Sequence, residues 1–561
     1  MQNGNIKLKD LFNGDRIFNI PKYQRTYAWK DDNLEYFLED LLNQRGEKSY
    51  FLGTLLFHQK NNRGEYEVID VVDGQQRLTT IMIFMKSIIQ ILKDKNSTKV
   101  TNKTFSRYIY DGENYKLELE NEDNSFLQNT ILNDNEVSIQ ETPSQKRLME
   151  AKIYFQKELS KQNIDVLEKL MEILINSDVI LYVVDKISDA TQIFELLNDR
   201  GRKLTSLEGV KSFLMYRIGC LNLKDDGEQA INSIQDNFSA IYRLIEKNSI
   251  NENDLLRYHT IAFENSKTDD YNNSAKFIKT KINELFNNQA DIKITDTKIK
   301  EEIIDYVDRL KTSFNLYEQI KNNKQNCSKM DDLIMIGRVN PFYPLMMNIY
   351  NEDKNYLNNF IYDLVKFTFR ATLIGLRNDN EGFYTHIRKN ENFSELFQVI
   401  ISDNWWNINK RVTEVLEYRN FYEWVNKNMV RYILFSYENN LRAIKGYPSL
   451  TLENYFSTNK REKLSIEHIT AQKTKSLDFD DDFKENYLHS IGNLVIDTVS
   501  SNSRKGKKGV DEKMSEFTQA PLMSQNEINE SITNWTDINE VKKYIDLRNT
   551  KIIEFVKNIL M

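Results

Sequence analysis

The 561-residue chain has little cysteine, little proline and no long apolar run. Its two cysteines, Cys220 and Cys327, lie far apart and form no pair motif, which argues against a disulfide scaffold and a cysteine-based zinc site. Only six prolines interrupt the chain, so long helices are favoured. The N-terminus lacks the apolar core of a signal peptide, and runs such as 179–184 are far too short to span a membrane. We therefore expect a helix-rich protein of the reducing cytoplasm, with no membrane partner.

The net charge of −7 at pH 7 does not by itself favour a nucleic-acid partner, because phosphate contacts need lysine and arginine. Only the local field at a binding face matters, so a nucleic-acid enzyme of this charge must concentrate its basic residues. The segment SNSRKGKKG is one such concentration, with Arg504, Lys505, Lys507 and Lys508. Taken alone, the segment is more typical of a solvated charged loop.

The length favours three or four domains, and the texture of the sequence divides the chain into three regions. Residues 1–220 mix strand-like and helix-like patterns. Residues 221–410 carry amphipathic runs such as EEIIDYVDRLKTSFNLYEQI and YLNNFIYDLVKFTFRATLI without a chemical motif, which indicates a helical spacer or scaffold. Residues 411–561 have helical patterns that one non-helical stretch interrupts. The predicted fold class is α+β and predominantly helical.

Within the first region, YFLGTLLFHQ and EYEVIDVVDG predict two strands joined by a short loop, with a helix directly after the second strand. VILYVV predicts a further strand. The run TQIFELLNDRG predicts a helix that ends at Gly201. Thr205 and Glu208 have the spacing of a capping box, so a new helix should begin near Ser206.

Two of the five histidines, His468 and His489, flank the most motif-like stretch of the last region. KLSIEHITAQ and HSIGNLVID predict short strands separated by an acidic loop. Phosphodiester hydrolysis needs a base, for which neutral imidazole is suited, and a cation to stabilise the transition state. Oxygen ligands favour Mg²⁺ or Mn²⁺. Adjacent residues on a strand point to opposite faces, however, so the spacing of Glu467 and His468 alone is more typical of a packed or surface histidine.

The order E-H-I, G-N-L-V and N-x-R-K-G-K resembles HNH nucleases of the ββα-metal type, including the one in RNA-guided DNA nucleases. The resemblance implies that His468 is the general base and that Asn493 is the amide that orients it. It implies that Glu467 and Asn502 are the ligands of Mg²⁺ or Mn²⁺.

Lys505 or Lys507 would then contact the substrate phosphate, within a DNA-binding segment that also holds Arg504 and Lys508. Ala471 occupies the position where the HNH family usually has a proline, which stiffens the loop entry and takes no part in the chemistry. We interpret His489 as structural.

Near the start of the chain, IPKYQRTYAW precedes VDGQQRLTT, which lies at the predicted strand-to-helix junction. A glycine there lets backbone amides approach a ligand, and the new helix offers unpaired N–H groups and a positive dipole end. Arg77 adds donors suited to phosphate oxygens. The junction is an anion site in principle, although many such turns carry Gly and Arg for structural reasons. Tyr27 and Trp29 are interpreted as core or pocket wall.

IPxYQRxYxW, DGQQRLTT and FExLNDRG together resemble the ParB/sulfiredoxin-like domain of GmrSD-type, modification-dependent (type IV) restriction enzymes. This resemblance covers residues 1–215, the HNH resemblance covers 420–560, and the domain order is the same. It implies binding and hydrolysis of a nucleoside triphosphate, coupled to cleavage of modified foreign DNA. The implied nucleotide-binding residues are Asp73, Gly74, Gln75, Gln76 and Arg77, with Gln24 and Arg25 lining the same pocket. Asn198, Arg200 and Gly201 match the family's NxRG turn.

The leading hypothesis is a nucleotide-regulated, Mg²⁺-dependent endonuclease that degrades phage DNA, with modified DNA as its target. The alternative is a nucleotide-switched DNA-binding adaptor or clamp with a degenerate nuclease domain. A nuclease for RNA or host DNA ranks lower, because the sequence lacks the aromatic signature of RNA-reading modules. A homodimer would let two nuclease sites cut both strands. No short motif encodes the nucleotide's identity or the DNA modification.

Overall fold

The computed structural model describes residues 3–44, 49–60, 62–134, 139–187, 189–190, 193, 205–223, 226–248, 250–287, 295–322, 329–352, 355–377, 380–389, 407–459, 461–473, 479–530 and 534–561. The chain forms two compact units, one of Met1–Thr260 with Lys267–Glu318 and one of Ile261–Ser266 with Gln319–Met561. The functional boundaries expected near residues 220 and 410 stay predictions.

A mixed sheet forms the centre of the first unit. Its strands are β1 (Gly4–Lys7), β2 (Arg16–Ile20), β3 (Phe51–Gln59), β4 (Glu67–Asp73), β5 (Leu117–Leu119) and β6 (Asp178–Val184). They lie in the order β1-β6-β3-β4-β2-β5, with β3 antiparallel to β4 and parallel to β6, and with β2 parallel to both β4 and β5. The sequence predictions of β3, β4 and β6 are confirmed; β1, β2 and β5 were not predicted.

The helix Gln75–Asp94 packs in the core of this unit and confirms the predicted helix after the second strand. The side chains at its predicted helical spacing are all buried: Leu78, Met82, Met85, Ile89 and Leu92. Burying one such side chain stabilises a fold by about 1.5–3 kcal/mol, so this face anchors the turn that precedes the helix.

The capping box at the start of Ser206–Gly219 is also confirmed. Glu208 N donates to Thr205 Oγ1 at 3.3 Å, and Thr205 N donates to a carboxylate oxygen of Glu208 at 2.9 Å. The described helices up to residue 322 are Leu8–Leu11, Asp31–Leu42, Gln75–Asp94, Asn102–Tyr108, Asn124–Phe126, Pro143–Ser160, Ile164–Ile175, Ser206–Gly219, Asp226–Asn248, Glu252–Phe263, Thr268–Asn272, Ser274–Asn287 and Asp296–Lys321, with a π-helical segment at Leu127–Leu132.

The described residues of the second unit are helical apart from two antiparallel strands, β7 (Leu464–His468) and β8 (Leu494–Thr498), which confirms the strands predicted around EHI and GNLV. Its described helices are Lys329–Ile336, Tyr343–Glu352, Tyr356–Leu373, Asn380–Lys389, Ile408–Leu416, Phe421–Trp424, Lys427–Ile444, Leu452–Phe456, Asp481–Asn486, Val499–Lys505, Val510–Thr518, Met523–Asn526 and Ile538–Phe555. Shorter 3₁₀ and π segments are Asn340–Phe342, Ile491–Asn493, Glu527–Glu530 and Val556–Leu560.

The acidic segment between β7 and β8, predicted as a loop, contains the short helix Asp481–Asn486. It forms because Asp480 accepts a hydrogen bond from Phe483 N at 2.6 Å and so caps its N-terminus. The α+β, predominantly helical fold class is confirmed. None of the helices in the described ranges has the length and apolar composition of a membrane span.

Candidate active site and nucleotide-binding turn

β7, β8 and the helix Val499–Lys505 form a strand–strand–helix unit around the E-H-I motif. His468 lies opposite Leu494, and Glu467 lies opposite Val495. The helix starts immediately after β8, where Thr498 caps it by accepting a hydrogen bond from Ser501 N at 3.2 Å. This connection holds the helix next to the two strands.

Asn502, on that helix, is bound directly to β7. Its amide nitrogen donates to Ile466 O at 3.0 Å and to Ser465 Oγ at 3.1 Å. No residue in the described part of the chain donates a hydrogen bond to its Oδ1, so the amide oxygen keeps its acceptor capacity. The structure thus fixes Asn502 beside the residues that precede Glu467 and His468.

His468 lies at the end of β7 among aromatic rings, with 7% of its surface exposed. The Tyr422 ring lies 4.7 Å away and the His489 ring 5.4 Å away, both edge-to-face. Burial lowers the pKa of His468 to about 3, and electrostatic interactions with His489, Lys513 and Lys427 act in the same direction. The imidazole is therefore neutral at pH 7, as a proton acceptor must be.

Glu467 forms a buried ion pair with Lys513. The ammonium lies 2.7 Å from Glu467 Oε1 and donates to His468 O at 3.3 Å. Burial raises the pKa of Glu467, and the charge of Lys513 opposes this rise. In the part of the chain that the structure describes, no three His, Cys, Asp or Glu side chains form a metal-binding group. Of the implied ligands, Glu467 and Asn502 carry the oxygen atoms that a hard divalent cation would take.

Asn493 fixes the loop that follows His468. Its Oδ1 accepts hydrogen bonds from Thr470 N at 2.9 Å and Thr470 Oγ1 at 2.7 Å, and its Nδ2 donates to Leu488 O at 2.8 Å. Its carbonyl accepts from Ile469 N at 2.8 Å. These contacts hold the two residues after the imidazole, and they leave the described Asn493 side chain without a hydrogen bond to the ring itself.

In the first unit, Gly74 forms the turn between β4 and its helix. Its φ is +89°, and a Cβ at this position would lie 2.2 Å from Leu55 Cδ2, so glycine is required for both conformation and space. Leu78 N makes the first intrahelical bond, to Gly74 O at 2.9 Å. The N–H groups of Gln75, Gln76 and Arg77 therefore have no intrahelical partner and start a helix of 20 residues.

The IPKYQRTYAW segment is braced against this turn. Gln24 donates to Val72 O at 2.8 Å and accepts from Gln75 Nε2 at 3.1 Å. Gln76 accepts from Ala28 N at 2.7 Å and donates to Thr26 O at 2.9 Å. The glutamines thus fix the loop and leave the peptide N–H groups as the donors for a ligand.

The two predicted arginines have protein partners. Arg25 forms ion pairs with Glu208 at 3.0 Å and Glu252 at 2.7 Å. Arg77 donates to Thr54 O at 3.0 Å. Burial raises the pKa of Asp73, while Arg77 opposes the rise and Glu208 adds to it. The structure therefore brings Asp73, Arg77 and Gln24 to one turn and pairs Arg25 with neighbouring carboxylates.

Family models match both of these regions. The model of the GmrSD restriction endonuclease N-terminal domain matches residues 8–215, and the model of the C-terminal domain matches residues 406–554. Together they cover more than half of the chain. It belongs to the GmrSD family of type IV restriction endonucleases. Among curated proteins, none matches the chain.

As a member of a restriction endonuclease family, the chain is expected to bind DNA, so its basic segment is a candidate DNA contact. Lys505 is fully buried, and its ammonium binds Asp497 at 2.9 Å and Gln525 at 2.7 Å. The prediction that Lys505 contacts DNA is corrected, because a buried, paired ammonium does not reach a phosphate. Arg504 and Lys508 are paired with Glu516 at 2.9 and 3.2 Å, and Lys507 is exposed.

Other residues of this family member were not found by sequence reasoning. Tyr422 and Lys513 contact His468 and Glu467 from distant parts of the chain, and no local motif marks either one. The NxRG residues Asn198, Arg200 and Gly201 lie outside the described residues, so their predicted turn stays a prediction. Tyr27, predicted as core or pocket wall, is buried, and its hydroxyl lies 2.8 Å from Thr80 Oγ1.

Proposed function

We propose that this restriction endonuclease is an HNH-type, Mg²⁺- or Mn²⁺-dependent enzyme. Its proposed substrate is phage DNA, modified DNA in particular, and a nucleoside triphosphate bound and hydrolysed in the N-terminal region controls it. The observation that carries the proposal is a neutral, buried imidazole at the end of β7, adjacent to Glu467 and beside a helix that Asn502 binds to the same strand. A homodimer with two such sites stays a prediction.

In this proposal, an imidazole nitrogen of His468 takes the proton from the attacking water. A base works best when its pKa lies near the working pH, and a pKa of about 3 is too low for this. An approaching phosphate brings negative charge, which favours the imidazolium form and raises the pKa. DNA binding would therefore strengthen the base when it is needed. Asn493 keeps the loop after the imidazole in position.

The oxygen donors Glu467 and Asn502 fit a hard divalent cation, since Mg²⁺ is usually held by one or two carboxylates and by substrate phosphate. Such an ion would stabilise the negative charge that develops on the phosphate. Lys513 binds Glu467 Oε1 at 2.7 Å. A cation at this carboxylate would therefore either share it with the Lys513 ammonium or displace the ammonium.

The proposed nucleotide site uses the peptide N–H groups after Gly74. A phosphate there would accept from the first turn of a 20-residue helix, where the positive end of the helix dipole adds to the attraction. Asp73 and Arg77 flank these N–H groups, and Gln24 and Gln76 fix the facing loop. The paired Arg25 would contribute through Glu208 and Glu252 and not as a direct phosphate contact.

The test of the nuclease site is plasmid cleavage by His468→Ala with Mg²⁺ and each nucleoside triphosphate. Loss of a general base lowers rates by about 10²- to 10⁴-fold, and nucleotide hydrolysis should persist. His489→Ala is the matched control, because it removes a neighbouring ring that the proposal treats as structural. Cleavage by His468→Ala at the wild-type rate would remove the proposed base.

The test of the nucleotide site is direct titration of Arg77→Ala with the nucleotide that the wild-type protein binds. Weaker binding is expected, with DNA affinity in the absence of metal unchanged. Arg63→Ala, which removes an exposed arginine paired with Glu118, is the control for loss of charge. Equal affinity of Arg77→Ala and wild type would remove Arg77 from the proposed site.

The ion pair between Glu467 and Lys513 favours a second candidate, because it occupies a proposed metal ligand with an ammonium. In that case the chain would be a nucleotide-switched DNA-binding adaptor with a degenerate nuclease region. Incubation of the purified protein with plasmid, Mg²⁺ or Mn²⁺ and each triphosphate separates the two candidates. Binding without nicking under every condition supports the adaptor.

A further inference from the structure

The second unit contains a cavity of about 750 Å³ that the proposed chemistry does not use. Its walls come from the ends of the helices Lys329–Ile336 and Tyr356–Leu373, from Ile408–Leu416, and from the turn Phe421–Trp424 with the first residues after it. A volume of this size lies within the range of small-molecule sites, about 300–1,000 Å³.

Two aromatic side chains at this cavity are unusually exposed. Trp424 has 75% of its surface exposed and Tyr418 has 44%, and their ring centroids lie 5.3 Å apart. Both line the cavity together with apolar groups such as Leu373 and Val415. An exposed indole next to a concave apolar wall is a stacking platform for a planar ring.

Arg411 adds charge to the same cavity. Its guanidinium has no hydrogen bond or ion pair among the described residues, although it lies only partly exposed in the cavity wall. An unpaired guanidinium fits a phosphate with its fork of donors. Asn426 and Asn428 also lie in the wall. Their Oδ1 atoms accept hydrogen bonds from Asn428 N at 2.8 Å and from Arg431 at 3.3 Å, so among the described residues their Nδ2 groups remain as donors for the edge of a base.

We propose that this cavity binds a single nucleotide unit, with the base against Trp424 and Tyr418 and the phosphate at Arg411. The unit comes either from a free nucleotide or from a base extruded from a DNA strand, since both present the same ring and phosphate. The assignment follows from the coincidence of exposed aromatic rings, an unpaired arginine and a cavity of matching size. It stands independently of the roles proposed for His468 and Arg77.

The same short turn joins this cavity to His468. Trp424 faces the cavity, while Tyr422, two residues earlier, packs on the imidazole at 4.7 Å. Tyr422 N also donates to His489 O at 2.8 Å, and Phe421 is fully buried, so the turn is anchored between the two sites. A nucleotide that holds Trp424 would therefore hold the ring that covers His468.

The test measures DNA affinity of the full chain in EDTA, which prevents cleavage. The probes are a duplex with one unpaired cytidine and the same duplex with an abasic residue at that position. For wild type, removal of the base should weaken binding about tenfold, the scale of one stacked base. For Trp424→Ala the two probes should bind equally. Tyr447→Ala, at an exposed aromatic outside the cavity, should behave as wild type.

Arg411→Gln should weaken binding of both probes, and Arg461→Gln, outside the cavity, should not. Titration with dCMP in the Arg77→Ala background separates the two sources. If Trp424→Ala weakens the binding of dCMP, the ligand is a free nucleotide. If Trp424→Ala weakens only the binding of the duplex with the unpaired cytidine, the ligand is a base of DNA. The proposal is overturned if Trp424→Ala changes neither measurement. Neither measurement requires cleavage, so failure of the nuclease proposal is a separate result.

Discussion

The two candidate sites both lie at the end of a strand, but they use their motif residues differently. At the N-terminal turn, Gln24, Gln75 and Gln76 bind each other and the backbone, so what remains for a ligand is peptide N–H groups. At the C-terminal unit, a side chain of the motif itself, His468, is kept neutral and surrounded by rings. One motif builds a scaffold for backbone recognition, and the other positions a reactive group.

The two regions also differ in how they hold buried charge. Arg25 is partly exposed and pairs with two carboxylates, so the loss of Glu208 or Glu252 would leave it one ion-pair partner. Glu467 and Lys513 depend on each other, because both are buried. The C-terminal region should therefore respond more strongly to single substitutions.

Lys513→Ala should cause the largest loss of stability. It leaves Glu467 as an uncompensated buried carboxylate, at a cost of about 3–5 kcal/mol. Urea denaturation of the full chain measures the effect, with Lys507→Ala, at an exposed position, as the matched control. The double variant Glu467→Gln/Lys513→Met should recover much of the loss. Equal urea midpoints for Lys513→Ala and Lys507→Ala would show that the ion pair does not contribute this stability.

Acid should destabilise the protein through His468. Its folded pKa is about 3 and its ordinary value is 6.5, so the folded state binds fewer protons between these values. The stabilising contribution is complete above 6.5 and is lost as the pH falls toward 3, by up to about 1.4 kcal/mol per pH unit. Urea midpoints of wild type and His468→Gln at pH 7 and pH 5 measure it. A pH dependence as steep in His468→Gln would contradict the assignment.

Gly74→Ala should destabilise the first unit by about 1–2 kcal/mol through backbone strain, with a further cost from contact with Leu55. Gly64→Ala is a matched control, since Gly64 also has a positive φ, +61°, but open space around its Cβ position. The difference between the two variants isolates the crowding at the turn. Gly74→Ala should also weaken nucleotide binding. Equal stability of the two variants would contradict a crowded turn.

Lys507→Ala should have the smallest effect. Its stability should match wild type within about 0.5 kcal/mol. If Lys507 contacts a phosphate, the slope of log affinity against log salt concentration for duplex DNA should fall by about 0.9. Lys157→Ala, at a lysine whose side chain is 71% exposed, serves as the control. An unchanged slope would remove Lys507 from the predicted DNA surface.

Sequence patterns predicted the elements whose signal is local. In β3, β4 and the helix after them, apolar residues recur at the period of a strand or of a helix. The capping box at Thr205 depends on only four consecutive residues. Strands such as β5, with three residues, are too short to show a period. Their place in the sheet is set by pairing with a distant strand.

The same distinction holds for the candidate sites. The order of E-H-I, G-N-L-V and the following helix could be predicted from the sequence, because each motif is an uninterrupted run of residues. Lys513 lies 46 residues from Glu467, and its role depends on burial that only the fold creates. The basic run SRKGKK gave no sign that Lys505 turns inward, because that depends on Asp497 and Gln525 lying beneath the helix.

We propose that the imidazole of His468 is the proton acceptor for DNA cleavage. The most direct measurement is chemical rescue, in which His468→Gly is assayed for plasmid cleavage with Mg²⁺ and increasing concentrations of free imidazole. Cleavage should be lost in the variant and should return with imidazole, which fits the space that the buried ring leaves. Undiminished cleavage by His468→Gly without imidazole would contradict a role for His468 as the base.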